Sequence, residues 1–286
     1  MLTKCTLSGF ADEIDTDIQK QIELLKELGQ AYIELRSANG KNVAEYTTEE
    51  AIELKKVLEE ADIKISAIGS PIGKINIKDD FAPHFEQYKH VVELAKIFNT
   101  PYIRMFSFYM PEGEVPEDYQ EEVMKRMKQF VDYAIDQNIV LLHENEKGIY
   151  GDTGKRCLDL MKAFYGPHFQ CTFDFANFVQ CKENTLECYE LLKPYITYIH
   201  VKDALLKDAS VVPAGQGDGH VAEILGKLDA AGYEGFLSLE PHLFDFAGLK
   251  DLEEKSTEKT THENKLSSGA LAYKTAFDAL KKIREK

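Results

Sequence analysis

The chain is 286 residues long, 44% hydrophobic and 29% charged, with 34 Lys+Arg against 49 Asp+Glu and a formal net charge of −15. Such a composition excludes a disordered or fibrous chain, and the length allows one large α/β barrel or two average domains. The acidic balance argues against nucleic acid and anionic membrane surfaces as partners. No apolar run approaches the roughly 20 residues of a spanning helix. The opening segment Met1–Asp15 turns acidic without an apolar signal core, so a cytoplasmic protein is expected.

Strand-like and helix-like runs alternate from end to end. Cys5–Phe10 reads as a strand, followed by an amphipathic helix over Thr16–Leu28 that Gly29 ends. Ala31–Leu35 precedes Thr48–Ala61, whose start, Thr47-Thr48-Glu49-Glu50, places an N-cap before first-turn acids. Ile63–Ile68 precedes Phe81–Phe98, and Tyr102–Phe106 precedes Glu117–Asp136, opened by Pro116. Ile139–Glu144 precedes Thr153–Ala163, and Phe169–Asp174 precedes Thr185–Leu192. Ile196–Val201 precedes His220–Ala230, and Phe236–Leu239 precedes the closing helix, Leu266–Lys286. Strict strand–helix alternation means a parallel sheet, and eight such units favour a single (β/α)8 TIM barrel domain over 1–286 rather than an open doubly wound sheet. No Gly-rich phosphate turn follows the first strand, and no Walker sequence occurs.

Two loops exceed what connection requires, Ala204–Gly219 and Pro241–Lys265; the second holds the mixed-charge stretch Lys250–Lys259, read as a solvated loop or short exposed helix. The five cysteines, Cys5, Cys157, Cys171, Cys181 and Cys188, form no C-x-x-C pair and are expected to be reduced and structural.

Each of the last four strands ends in a potential ligand: Glu144, Asp174, His200 and Glu240. The two-residue period of a strand puts them on one face with Leu142, Thr172, Tyr198 and Ser238. If that face is the interior, the four converge at the barrel mouth. Three carboxylates crowded there repel one another unless a cation holds them. A set of three oxygen ligands and one nitrogen suits one divalent ion such as Mn²⁺, Mg²⁺, Co²⁺ or Zn²⁺. Lys202 shares the parity of His200 and is placed to orient a substrate oxygen; His242 is a candidate substrate contact. His143 points to the opposite face and is read as packed. Arg104, Lys74 and the Lys155-Arg156 pair are candidates to neutralise a substrate phosphate.

The runs His143-Glu144-Asn145, Asp174-Phe175-Ala176-Asn177, His200-Val201-Lys202-Asp203, Gly215-Gln216-Gly217-Asp218 and Leu237-Ser238-Leu239-Glu240-Pro241-His242 resemble the xylose isomerase-like barrel superfamily, within it the sugar phosphate isomerase/epimerase group. The resemblance implies one divalent metal on Glu144, Asp174, His200 and Glu240, with the two glutamates also serving as acid and base. Asn177, like Lys202 and His242, falls among the expected substrate-binding positions. Asn177 and Leu206 stand where ketose 3-epimerases tend to carry His and Arg, which turns the reading away from that substrate. The early-strand His ligands of the endonuclease IV branch have no counterpart in Gly69-Ser70-Pro71 or Arg104-Met105-Phe106, so one metal is expected. The implied activity is isomerisation or epimerisation of a small-molecule sugar, sugar phosphate or cyclitol by proton transfer through a metal-stabilised enediolate. An inosose-type dehydratase on the same site, or a non-catalytic sugar-binding barrel, are the alternatives. A homo-oligomer is left open.

Overall fold

A computed structural model describes residues 2–245 and 266–285. Eight parallel strands form the centre: β1 (Thr6–Gly9), β2 (Tyr32–Leu35), β3 (Lys64–Gly69), β4 (Tyr102–Met105), β5 (Val140–Glu144), β6 (Phe169–Asp174), β7 (Ile196–Val201) and β8 (Phe236–Leu239). Their order, β1-β8-β7-β6-β5-β4-β3-β2, wraps into a nearly closed barrel whose two end strands lie against each other. The surrounding helices are α1 (Ile18–Leu28), α2 (Thr48–Glu60), α3 (Phe81–Ile97), α4 (Gln120–Gln137), α5 (Gly154–Phe164), α6 (Phe175–Gln180), α7 (Thr185–Leu192), α8 (Val221–Ala230) and α9 (Gly269–Arg284). The expected (β/α)8 TIM barrel is the observed fold.

Local chemistry sets the boundaries. Thr47 and Glu50 form a complete capping box at the start of α2, and Gly29 ends α1 in the left-handed conformation at φ 68°. Pro116 opens a single 3₁₀ turn, Pro116–Tyr119, ahead of α4 rather than the helix itself. Helix α6 was not anticipated: it begins directly at the end of β6 and lasts six residues, too few to show a periodic pattern. Of the long eighth loop, Pro241–Lys265, only the first residues through Asp245 are described, and Lys250–Lys259 lies outside them.

The two faces of the strands separate as the period demands. Outward residues such as Leu141, Phe169, Cys171, Phe173, Ile199 and Leu237 join the main core beneath the helices. Inward residues Ala67, Leu142 and Tyr198 form a separate small cluster, packed on Tyr102, Val140 and Phe236. The barrel interior therefore has an aromatic floor. Beside it Ser66 bridges the Ser8 hydroxyl (2.6 Å) and the Tyr198 hydroxyl (2.8 Å). The register between β2 and β3 slips by one at Ile33/Glu34, and that between β6 and β7 at Cys171/Thr172. Such irregularities re-aim the side chains beyond them, here toward the mouth. All five cysteines are free, four of them buried, and burial pushes the Cys171 thiol up to about 12.

The loop after β7 folds back on itself as a two-residue ribbon, Asp203–Ala204 against Val211–Val212. Asp203 organises it. Its carboxylate accepts backbone N–H groups from Ala204 (2.9 Å), Gly215 (2.9 Å), Gly217 (3.0 Å) and Gly219 (2.9 Å). A Cβ at Gly217 or Gly219 would collide with Asp203 Oδ1, which explains the glycines at those two positions. Asp203→Ala leaves buried donors without an acceptor, at about 1–3 kcal/mol each. We expect it to lower the free energy of urea unfolding by about 2 kcal/mol or more, with Gly217→Ala shifting the midpoint in the same direction.

Candidate metal centre

Four consecutive strands deliver the expected residues to one place. Glu144 and Asp174 are the last residues of β5 and β6, His200 is the penultimate residue of β7, and Glu240 follows β8. In register, Asp174 faces His200, and His200 faces Ser238, which sets Glu240 one step higher at the level of Lys202. One ligand atom from each of Glu144, Asp174, His200 and Glu240 lies within 4.8 Å of the others, and all four residues are buried. That span is close to twice a metal–oxygen or metal–nitrogen distance of about 2.0–2.4 Å.

Each carboxylate is held by the chain. Asp174 caps α6, with Oδ1 accepting the Asn177 N–H at 2.8 Å. Its other oxygen, Oδ2, is buried without a hydrogen bond, although Lys202 Nζ stands 3.1 Å away. The Asn145 amide ties the ends of β5 and β6 together, donating to Asp174 O (3.0 Å) and accepting from Asp174 N (2.9 Å). Asn177, expected at the substrate, is buried and uses its amide to donate to Glu144 Oε1 (3.2 Å) and to Asn145 O (2.9 Å). Lys202, also fully enclosed, donates to Glu240 Oε2 at 2.8 Å.

His200 is fixed from both sides. Its Nε2 donates to Glu34 Oε2 at 3.0 Å, and Glu34 Oε2 in turn accepts from the Ser238 hydroxyl at 2.7 Å. The opposite nitrogen, Nδ1, is buried without a hydrogen bond, 3.0 Å from Glu144 Oε1 and 3.7 Å from Glu240 Oε2. Phe10 packs edge-on against the ring at 5.2 Å. A nitrogen and a carboxylate oxygen, both buried, unsatisfied and facing two further carboxylates, fit a divalent cation. Held by Glu34 at the far nitrogen, the imidazole presents Nδ1, the arrangement that orients metal-binding histidines.

Without the ion the charges are balanced by the protein itself. Burial opposes a charge on His200, but Glu144 and Glu34 outweigh it and raise its pKa. Burial likewise works against ionised Glu240, yet Lys202 and His242 hold its carboxyl well below the usual range. Asp174 is driven upward by burial, against the pull of Lys202.

The rest of the mouth is more charged than the sequence suggested. Arg36 donates to both oxygens of Asp12 (2.8 and 3.2 Å), to Glu13 (3.2 Å) and to Glu240 Oε1 (3.5 Å). His242 sits 3.3 Å from Glu240 Oε1 and 3.4 Å from Glu13 Oε1, and burial takes its pKa down to about 4. Glu13, Glu240 and His242 also lie close enough to hold an ion, but the Arg36 guanidinium already occupies that side. Glu34, Arg36, Asp12 and Glu13 are functional-site residues that the sequence reading does not single out, although Glu34 and Arg36 also stand at the end of a strand, where the later four strands carry their ligands. His143 packs away from the site as expected, 3.0 Å from Ser107 Oγ, and burial lowers its pKa to about 4. Arg156 turns to Asp152 and Glu117 on the helical layer instead of the mouth.

Residues 22–283 match the sequence model of a family described as xylose isomerase-like TIM barrel. A 3-dehydroshikimate dehydratase of Bacillus anthracis is 25% identical over 202 residues, 70% of each chain. Among solved structures, the D-allulose 3-epimerase of a Methylomonas species superposes with a TM-score of 0.73 at 14% identity over 98% of both chains. An IOLI protein with a bound zinc atom superposes with a TM-score of 0.72 at 16% identity over 97% of both.

Metal titration checks the geometry. Chelator-stripped protein is expected to take up close to one divalent ion per chain by elemental analysis, and Asp174→Ala to abolish uptake with the barrel's circular dichroism retained. Glu34→Gln, which touches no ion, is expected to weaken affinity about 10–100-fold, the usual effect of losing an outer partner of a ligand. Uptake of none or of three ions would exclude this site.

Proposed function

Because the chain belongs to the xylose isomerase-like TIM barrel family and gathers three carboxylates and an imidazole at its mouth, we propose that it is a metal-dependent enzyme moving a proton beside a carbonyl in a small sugar, sugar phosphate or cyclitol. The observation that carries this reading is the pair of unsatisfied buried atoms, Asp174 Oδ2 and His200 Nδ1, facing Glu144 and Glu240. In this reading Glu144, Asp174, His200 and Glu240 hold one divalent ion, Mn²⁺, Mg²⁺, Co²⁺ or Zn²⁺. Such an ion supplies Lewis acidity toward a carbonyl and its neighbouring hydroxyl.

The remaining work falls to the chain. Glu144 and Glu240 come from strands three apart around the barrel, so a substrate between them meets one carboxylate on each side. Both are held below the usual carboxylate range against their burial, Glu144 by His200 and Arg104 and Glu240 by Lys202 and His242. Both are therefore ionised at neutral pH and able to accept a proton. Lys202 donates to a substrate oxygen beside Glu240, and the buried setting strengthens each of these charge interactions. His242 Nε2, 3.3 Å from Glu240 Oε1, helps to keep that carboxylate ionised.

Return of the proton to the other face of the same carbon gives an epimer, and return to the neighbouring carbon gives an isomer. A second reading, loss of a β-hydroxyl as water, is favoured by the 25% identity to a 3-dehydroshikimate dehydratase. In that case the glutamate that removes the proton hands it to the departing hydroxyl, which leaves as water while the new double bond forms.

The test is exchange in D₂O. Metal-loaded protein with a panel of ketoses, ketose phosphates and inososes is expected to put deuterium at the carbon beside the carbonyl of its substrate, or to release water from it. Glu144→Gln and Glu240→Gln are each expected to lower turnover about 10²–10⁴-fold, while one of them retains exchange at the face served by the other. Near wild-type turnover in both variants would overturn the two-carboxylate mechanism.

A further inference from the structure

We propose that the substrate of this site carries an anionic oxygen group, a carboxylate or a phosphate, bound by Arg104 and Lys74 on the β3–β4 side of the mouth. The inference rests on the reading above in taking the mouth as the substrate site, and it narrows the substrate class.

Arg104 is the unusual residue. It is the third residue of β4, its side chain is 4% exposed, and it points into the mouth beside Glu144. A guanidinium has five N–H donors, yet among the described residues the Arg104 side chain makes no hydrogen bond, and its buried Nε is unsatisfied. Its nearest carboxylate oxygens are Glu144 Oε2 at 3.3 Å and Glu34 Oε1 at 3.7 Å from Nε. Arg36, in the same mouth, shows what a structural arginine looks like here: it donates to Asp12, Glu13 and Glu240. Enclosing a charged group without hydrogen bonds is costly. Such a fork awaits acceptors, and a carboxylate or phosphate provides two at matching spacing.

Lys74 supplies the second half of the argument. It lies in the turn after β3, its side chain is 9% exposed, and its one carboxylate partner is Glu146 at 3.3 Å. The Lys74 ammonium and the Arg104 guanidinium both sit on the ring of Phe106, at 4.3 and 4.6 Å from its centroid. Phe10 flanks Arg104 on another side at 5.4 Å. Two enclosed cations on one ring repel each other, and an anion bound between them relieves that repulsion. Burial, with Arg104 adding to it, depresses the Lys74 pKa against the pull of Glu146. Space for the fork is kept by Gly69, where a Cβ would press into Phe10 at 2.7 Å and reach Arg104 Nη2 at 3.4 Å.

Three ligands with one hydroxylated six-membered ring separate the possibilities: myo-inositol (neutral), quinate (a carboxylate) and myo-inositol 1-phosphate. Calorimetric titration of the full chain, stripped and Mn²⁺-loaded, is expected to show at least one anion binding about tenfold or more tightly than inositol. Lys74→Gln is expected to weaken that anion about tenfold or more and to leave inositol unchanged, and Arg104→Gln to weaken the anion about tenfold or more beyond any loss of inositol. Lys74→Gln, whose carboxylate partner among the described residues is Glu146 and not a proposed metal ligand, keeps the test valid if Arg104→Gln fails to fold. Which anion gains identifies carboxylate or phosphate. Equal affinity for all three ligands, no detectable binding of either anion, or equal loss of neutral and anionic ligands in the variants overturns the proposal. Anion preference in the stripped protein, with no deuterium exchange on any substrate, would keep this subsite and sink the proton-transfer reading. Exchange on a neutral ketose with no anion preference would do the reverse.

Discussion

The structure turns on the convergence of buried carboxylates at one end of a barrel. Glu34, Glu144, Asp174 and Glu240 are all enclosed, and each must be matched by positive charge or hydrogen bonds to remain ionised there. The mouth is arranged around that demand. His200 stands between Glu34 and Glu144, Lys202 between Asp174 and Glu240, and Arg36 beside Glu240. On the proposed reading a divalent ion would add charge where His200 Nδ1 and Asp174 Oδ2 are buried without hydrogen bonds.

The barrel interior sets hydrocarbon and polar groups side by side. Tyr102, Val140 and Phe236 pack against Ala67, Leu142 and Tyr198, while Ser66 joins the hydroxyls of Ser8 and Tyr198. Glu34 pairs in register with Ala67, and Arg104 with Leu142, so the charged groups stand beside apolar neighbours and rely on one another for partners. The Ser238 hydroxyl supplies one of these, donating to Glu34.

Much of this was legible in the sequence, for a definite reason. A strand-end residue faces the interior or the helices by parity alone, so Glu144, Asp174, His200 and Glu240 could be assigned to one face without coordinates. The β2 residues escaped because parity gives the face of Glu34 but not its partner, and its bonds to His200 and Ser238 cross the barrel from strands far away in the sequence. Asn177 reads as a substrate position in the sequence, but its bonds to Glu144 and Asn145 were not legible there, because they depend on α6 starting at Asp174 itself and a six-residue helix leaves no periodic trace. Arg104 and Arg156 look alike in sequence. One is sealed over Phe106 and the other pairs on the helical layer, a difference made by tertiary packing rather than by any local signal.

The division of labour around the barrel has a consequence for how such a protein can diversify. The residues facing the candidate metal site come from β5 to β8, whereas Glu34, Arg36, Lys74 and Arg104 come from β2 to β4 and the turns that follow them. Side chains tie the two halves together at the mouth, Glu34 to His200, Arg36 to Glu240 and Arg104 to Glu144. Lys74 stands outside these ties, in a turn whose carboxylate partner is Glu146. On the proposed reading, that turn is the part of the mouth that can change what is recognised without disturbing the groups that react.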